Sequence, residues 1–183
     1  MPSDPNTEGW GSIAVFVKLQ KQTSGLIHIN EKPLWIVNIH FPLPESDKWN
    51  CCKYLCKIVN KIVGNDPFII AGDFNTFYDE DGKKQVQYLL DNLPKDTRDC
   101  TEKLITSQKY SEILGTFIGT SYDRFKQTPP NLSHLDHIFV NGISTNKYAT
   151  VETETMLDEE CDELTQRDLL PSDHLPVKIN IKL

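Results

Sequence analysis

In four short stretches of this chain, residues that carry acid–base chemistry sit at or near the ends of apolar strands. The stretches read Val37-Asn38-Ile39-His40, Ala71-Gly72-Asp73-Phe74-Asn75, Leu135-Asp136-His137-Ile138-Phe139 and Pro171-Ser172-Asp173-His174-Leu175-Pro176. Alternate side chains of an extended strand share a face. Asn38 and His40 therefore lie opposite Val37 and Ile39, and Asp73 and Asn75 share a face if their strand continues. Gly72 lets another group approach the backbone. Taken singly, each stretch has an ordinary structural reading: a turn, a loop tie or a satisfied histidine. Together they place histidine, aspartate and asparagine at strand termini, the residue types that orient water, hold a hard cation and stabilise a phosphoryl group.

The rest of the chain reads mostly as strands. Ser12–Val17 is apolar on both faces, as a fully buried strand requires. A Ser-Gly hairpin connection leads from Lys21–Gly25 into Leu26–Ile29, and Leu34–His40 follows. Ser46–Val63 carries apolar residues at helical spacing (Trp49, Cys52, Cys56, Val59, Val63), with Ser46 as its cap and Gly64 just past its end. Pro67–Ala71 is a short strand, and Lys83–Leu93 is a second helix stopped by Pro94. A short helix is expected around Glu102–Tyr110. Leu135–Val140 and Tyr148–Met156 are strands separated by the Asn141-Gly142 turn, and Val177–Leu183 alternates as a half-buried terminal strand. Strands interrupted by two helices favour an α/β or α+β arrangement of sheet on sheet with helices outside.

Bulk properties narrow the function less. The 183 residues suffice for one domain, with residues 1–11 as a flexible leader. A formal net charge of −7 argues against a surface that grips a polyanion everywhere, while leaving room for a local phosphate site. Of the five cysteines, three (Cys51, Cys52, Cys56) crowd into one helix, a poor disulfide framework that suits thiols in a reducing compartment. There is no signal-peptide pattern and no membrane-length apolar run, so an intracellular protein, cytoplasmic or nuclear, is expected.

In their order and with their neighbours, the four stretches resemble the endonuclease/exonuclease/phosphatase superfamily, which includes pancreatic-type deoxyribonucleases and apurinic/apyrimidinic endonucleases. Gly115-Thr116-Phe117-Ile118-Gly119 is similar to a further family stretch. The resemblance runs from about Gly11 to the C-terminus. It implies a DNase I-like four-layer α/β/β/α sandwich and hydrolysis of a phosphodiester assisted by Mg²⁺ or Mn²⁺. Residue by residue, it implies that Asp73 orients or deprotonates the attacking water and that Asn75 holds a phosphate oxygen. His40 contacts the phosphate, His174 stabilises charge on phosphorus, and Asp136 orients His174. Asp173 positions the metal or its water, and Asn38 lies near the substrate.

One departure stands out. The family's opening strand brings an Asn, and a later segment brings a Glu that is the principal metal ligand. Both precede the stretch that Ser12–Val17 resembles, and only eleven residues stand before it here. The expectation is that the missing part is encoded upstream; the alternatives are a short form that has lost catalysis, or another acid, Glu8, Asp79 or Glu80, in the metal position. A sandwich without its first strands exposes sheet edges, so self-association is expected. The substrate indicated is nucleic acid, with Arg124 and Lys126 as further phosphate contacts and Tyr122 and Phe125 as stacking aromatics. Within the same superfamily, a phosphatase or phospholipase acting on inositol phosphates or sphingomyelin is the alternative. The inositol branch shows an aromatic pair before its Gly-Asp and Cys-Asp-Arg where this chain has Leu135-Asp136-His137. Outside catalysis, the alternative is a binding module on the same scaffold.

Overall fold

The computed structural model describes residues 13–19, 28–29, 32–76, 80–106, 112–113, 115–117, 132–151 and 172–182. In chain order the elements are β1 (Ile13–Leu19), β2 (His28–Ile29), β3 (Lys32–His40), α1 (Glu45–Ile62), β4 (Phe68–Asp73), α2 (Glu80–Asn92), β5 (Arg98–Asp99), β6 (Leu104–Thr106), β7 (Glu112–Ile113), β8 (Asp136–Asn141), β9 (Ser144–Thr145), β10 (Ala149–Val151), β11 (Val177–Lys178) and β12 (Ile181–Lys182). The main sheet has the order β1-β3-β4-β8-β5, with β2 paired to β3. A second sheet has the order β11-β10-β6-β7, and β12 pairs with β9.

Parallel strands need a long crossover, and α1 supplies it between β3 and β4, the parallel pair of the main sheet. Its neighbours on either side, β1 with β3 and β4 with β8, are antiparallel. The two faces of this sheet are both apolar. Val37, Ile39, Phe68, Ile70 and Phe139 pack under Cys52, Leu55, Cys56 and Val59 of α1 and Leu89 of α2. Leu34, Ile69, Ile138 and Val140 face the opposite way, against Val177, Ile179 and Ile181 at the C-terminal end of the chain. Val177 and Ile179 also pack on Leu104, Ala149 and Val151 of the second sheet. Each fully buried side chain of this size contributes roughly 1.5–3 kcal/mol. The layers are thus helix, sheet and sheet, a DNase I-like α+β fold; the second helical layer of the four-layer expectation is not seen among the described residues.

Several local expectations need correction. Helix α1 begins at Glu45 with Pro44 in the capping position, and no side chain caps it. Ser46 falls inside the first turn because proline already fixes the extended backbone that a cap needs. Helix α2 starts three residues early, at Glu80, where Glu80 and Asp81 suit the positive end of the helix dipole. The helix expected at Glu102–Tyr110 is instead β6 over Leu104–Thr106, which gains parallel pairing with β10; residues 107–110 lie outside the described set. The terminal strand is split, Val177–Lys178 joining β10 and Ile181–Lys182 joining β9. Of Tyr148–Met156, Ala149–Val151 is strand.

Burial raises the thiols of Cys52 and Cys56 to about 12 and about 11, leaving them inert as thiolates. Among the described residues no helix is long and apolar enough to cross a membrane.

Candidate active site

Strand register gathers the chemistry into one row. His40 is opposite Asp73 across the β3–β4 pair, and Asp73 is opposite Asp136 across β4–β8. All three occupy strand ends on the face that carries Ile36, Ala71 and Ile138, since strand residues two apart share a face. Asn38 stands on that face one row further in, opposite Val15 of β1, and is exposed.

His174 is brought to the row by three loop segments laced together by backbone hydrogen bonds. The amides of Thr116 and Phe117 each donate to the Ser133 carbonyl at 2.9 Å, and the Leu175 amide donates to the Thr116 carbonyl at 2.7 Å. Gly115 is required because a Cβ there would overlap the Ser133 backbone. His174 then places Nδ1 2.7 Å from Asp136 Oδ2, and its ring lies 5.0 Å, centroid to centroid, from that of Phe117. The Thr116 hydroxyl donates to the same Asp136 oxygen. Nε2 of His174 and Nε2 of His40 each lie 3.7 Å from Asp73 Oδ2. That separation is beyond a hydrogen bond, so the two imidazoles flank one carboxylate oxygen without consuming it.

These contacts set the charges. The hydrogen bond to Asp136 raises the His174 pKa above its usual value, against an opposing effect of burial; the charges of Asp136, Asp73 and Asp173 add to the rise. Burial pushes Asp73 up, reinforced by Asp136 and opposed by the Asn75 amide and the two histidines. Both shifts favour the protonated form of the group concerned.

Asn75 corrects the expectation of a continuous strand. The strand ends at Asp73, and Asn75 has φ 49°, in the left-handed region. Its backbone N–H donates to Asp73 Oδ1 at 2.7 Å, and its side-chain amide donates to the Phe41 carbonyl at 2.7 Å. The turn brings Asn75 back to the end of β3, beside His40.

Asp173 is exposed next to His174. Arg124, Lys126, Tyr122 and Phe125 lie outside the described residues, as do Glu8 and Asp79; Glu80 opens α2. Among the described residues, no group of three or more His, Cys, Asp or Glu is arranged to hold a metal ion. Asp136 is engaged by His174 and Thr116, and Asp73 by Asn75.

Two features escaped the reading from sequence. Thr116 sits within a stretch already singled out, but its hold on Asp136 depends on a contact twenty positions away. Lys48 is buried on the stripe that α1 turns to the core, where a charged side chain is not expected. His137 is buried, with Nε2 3.0 Å from Thr76 Oγ1 and Nδ1 3.0 Å from Asp99 Oδ2. Burial alone would raise the Asp99 pKa, but His137 and Thr101 outweigh it and hold the carboxyl below its usual range.

The endonuclease/exonuclease/phosphatase family model matches residues 33–174, a span that takes in each member of the row and His174. An endonuclease/exonuclease/phosphatase from Bacteroides vulgatus superposes with a TM-score of 0.61 at 20% identity, over 94% of this chain and 56% of that one. Beta toxin from Staphylococcus aureus gives 0.53 at 16% identity, over 92% and 57%. A humanized D. rerio TDP2 gives 0.54 at 12% identity, over 96% and 67%. At these identities the likeness is one of fold. The chain spans little more than half the length of the Bacteroides structure. No curated protein matches it. On the match of its sequence and the agreement of its fold, the chain belongs to the endonuclease/exonuclease/phosphatase family.

Proposed function

We propose that this chain carries the water-activating and phosphoryl-stabilising part of a divalent-cation-dependent phosphodiester hydrolase, a nuclease acting on DNA or RNA. The observation that carries the reading is the pair of imidazoles flanking Asp73 Oδ2, one of them backed by Asp136. Phosphodiester hydrolysis needs an in-line water, charge neutralisation on the non-bridging oxygens and help for the leaving oxygen.

Each need has a group. Asp73, with its pKa raised by burial, takes or orients the proton of the attacking water. His174, kept protonated by Asp136, donates to a non-bridging oxygen where negative charge develops. His40, exposed at the end of β3, meets the phosphate from the other side of Asp73. The second N–H of the Asn75 amide is the donor that would reach a phosphate oxygen. A divalent cation at Asp173 would neutralise charge on the phosphate when bound.

The test is incubation with labelled single- and double-stranded DNA and RNA, with Mg²⁺, with Mn²⁺ and with chelator, alongside His174→Ala. Expected is cation-dependent cleavage that His174→Ala lowers by roughly a hundredfold or more. Cleavage that survives both the chelator and the mutation would overturn the reading, as would no cleavage of any nucleic acid. Turnover confined to a phosphate monoester would instead favour the phosphatase reading.

A further inference from the structure

The left-handed turn at Asn75 is held from the helical side of the sheet by a buried cation. Lys48 lies in the first turn of α1, on its buried stripe with Cys52, Leu55, Cys56 and Val59, and is 5% exposed. Its Nζ donates to the Asn75 carbonyl at 2.9 Å and lies 2.9 Å from Glu45 Oε2. Glu45 in turn accepts from the amide of Gln85 on α2. Lysine is rarely buried unless paired, and a helix interior offers many cheaper ways to fill this volume. The ammonium here is directed at the backbone of a residue with a positive φ. Such a conformation is uncommon for a residue other than glycine and persists where its surroundings over-determine it.

We propose that Lys48 is a positioning residue. By holding the Asn75 carbonyl it fixes the turn that presents the Asn75 side chain and keeps the Asn75 N–H on Asp73 Oδ1. This inference rests on the hydrolase reading for its consequence, though not for its geometry. Lys48 touches no reacting atom; it acts through Asn75 and, one hydrogen bond further, through Asp73. Displacing a catalytic group by about an ångström can cost a hundredfold in rate.

The experiment compares Lys48→Met, Lys48→Gln and Lys48→Arg in the full chain. Turnover of bis(4-nitrophenyl) phosphate is measured together with the ¹H–¹⁵N resonances of the Asn75 backbone and side-chain amides. Lys48→Met should lower kcat by roughly tenfold to a hundredfold with a much smaller change in KM, and should shift both Asn75 signals while distant resonances stay in place. Lys48→Arg should recover most of the rate, since it restores a cationic donor. If Lys48→Met does not fold, Lys48→Gln, which keeps a donor without the charge, is judged by the same two readouts. A folded Met or Gln variant with unchanged kcat and unmoved Asn75 signals would overturn the proposal. Absence of turnover in the unmutated chain counts against the hydrolase reading, and the Asn75 resonances then decide the role of Lys48 by themselves.

Discussion

Lowering the pH from 7 to 5 should destabilise this protein through one ring, His134. The side chain is 4% exposed. Burial, aided by the neighbouring His137, drives its pKa from 6.5 down to about 3. The two rings stack with centroids 4.6 Å apart. In the unfolded chain the ring takes up a proton as the pH falls through about 6.5, while the folded protein holds it neutral. The unfolded state therefore binds more protons between those values, and stability falls as pH falls. At pH 5 the unfolded ring is protonated about thirty to one, which is worth about 2 kcal/mol. Any folded value below about 4 gives nearly the same figure, since the folded ring is then neutral at pH 5. Two groups work in the opposite direction. Asp73 and His174 have raised folded pKa values, so each contributes stability that is lost as pH rises through them. The comparison must therefore be made against His134→Gln, which cannot titrate. Urea unfolding at pH 7 and pH 5 should show the parent losing about 2 kcal/mol more than the variant. Equal losses, within about 0.5 kcal/mol, would refute the reasoning.

Two further substitutions probe how the site is built. Gly72 has φ 143°, and a Cβ there would overlap the Ile39 carbonyl oxygen across the β3–β4 pair. Backbone strain and overpacking add, so Gly72→Ala should cost at least about 3 kcal/mol. A chemical-denaturation midpoint close to that of the parent would contradict this. Asp136→Asn keeps a hydrogen-bonding side chain beside His174 but removes the charge; kcat should fall roughly tenfold to a hundredfold, with KM nearly constant. A steady-state measurement in which KM carries the whole effect would instead give Asp136 a role in binding.

Much of the site was legible because strand alternation and strand ends are local properties. Asn38 and His40 share a face in any extended chain, and Asp73 and Asp136 stop their apolar runs where β4 ends and β8 begins. What could not be read is set by contacts distant in sequence. Asn75 leaves the strand because Lys48, Phe41 and Asp73 hold it in a left-handed turn. Leu104–Thr106 is strand because β10, more than forty residues on, offers it a partner. Lys48 is legible from helical spacing, since it lies four residues before Cys52 on the same helical face.

The crossover from β3 to β4 links these facts. A slip of one residue between the two strands would turn either His40 or Asp73 to the helical face and disperse the row. Helix α1 sets that register by joining the strands in parallel and packing on Val37, Ile39 and Ile70. The same helix delivers Lys48 to the Asn75 carbonyl. Register and turn are therefore fixed by one element, whose first turn reaches the site while the rest of its buried face packs on the core. Loosening that first turn should disturb the chemistry before it unfolds the sheet. Loosening Cys52 or Val59, deeper along the same stripe, should weaken the fold first.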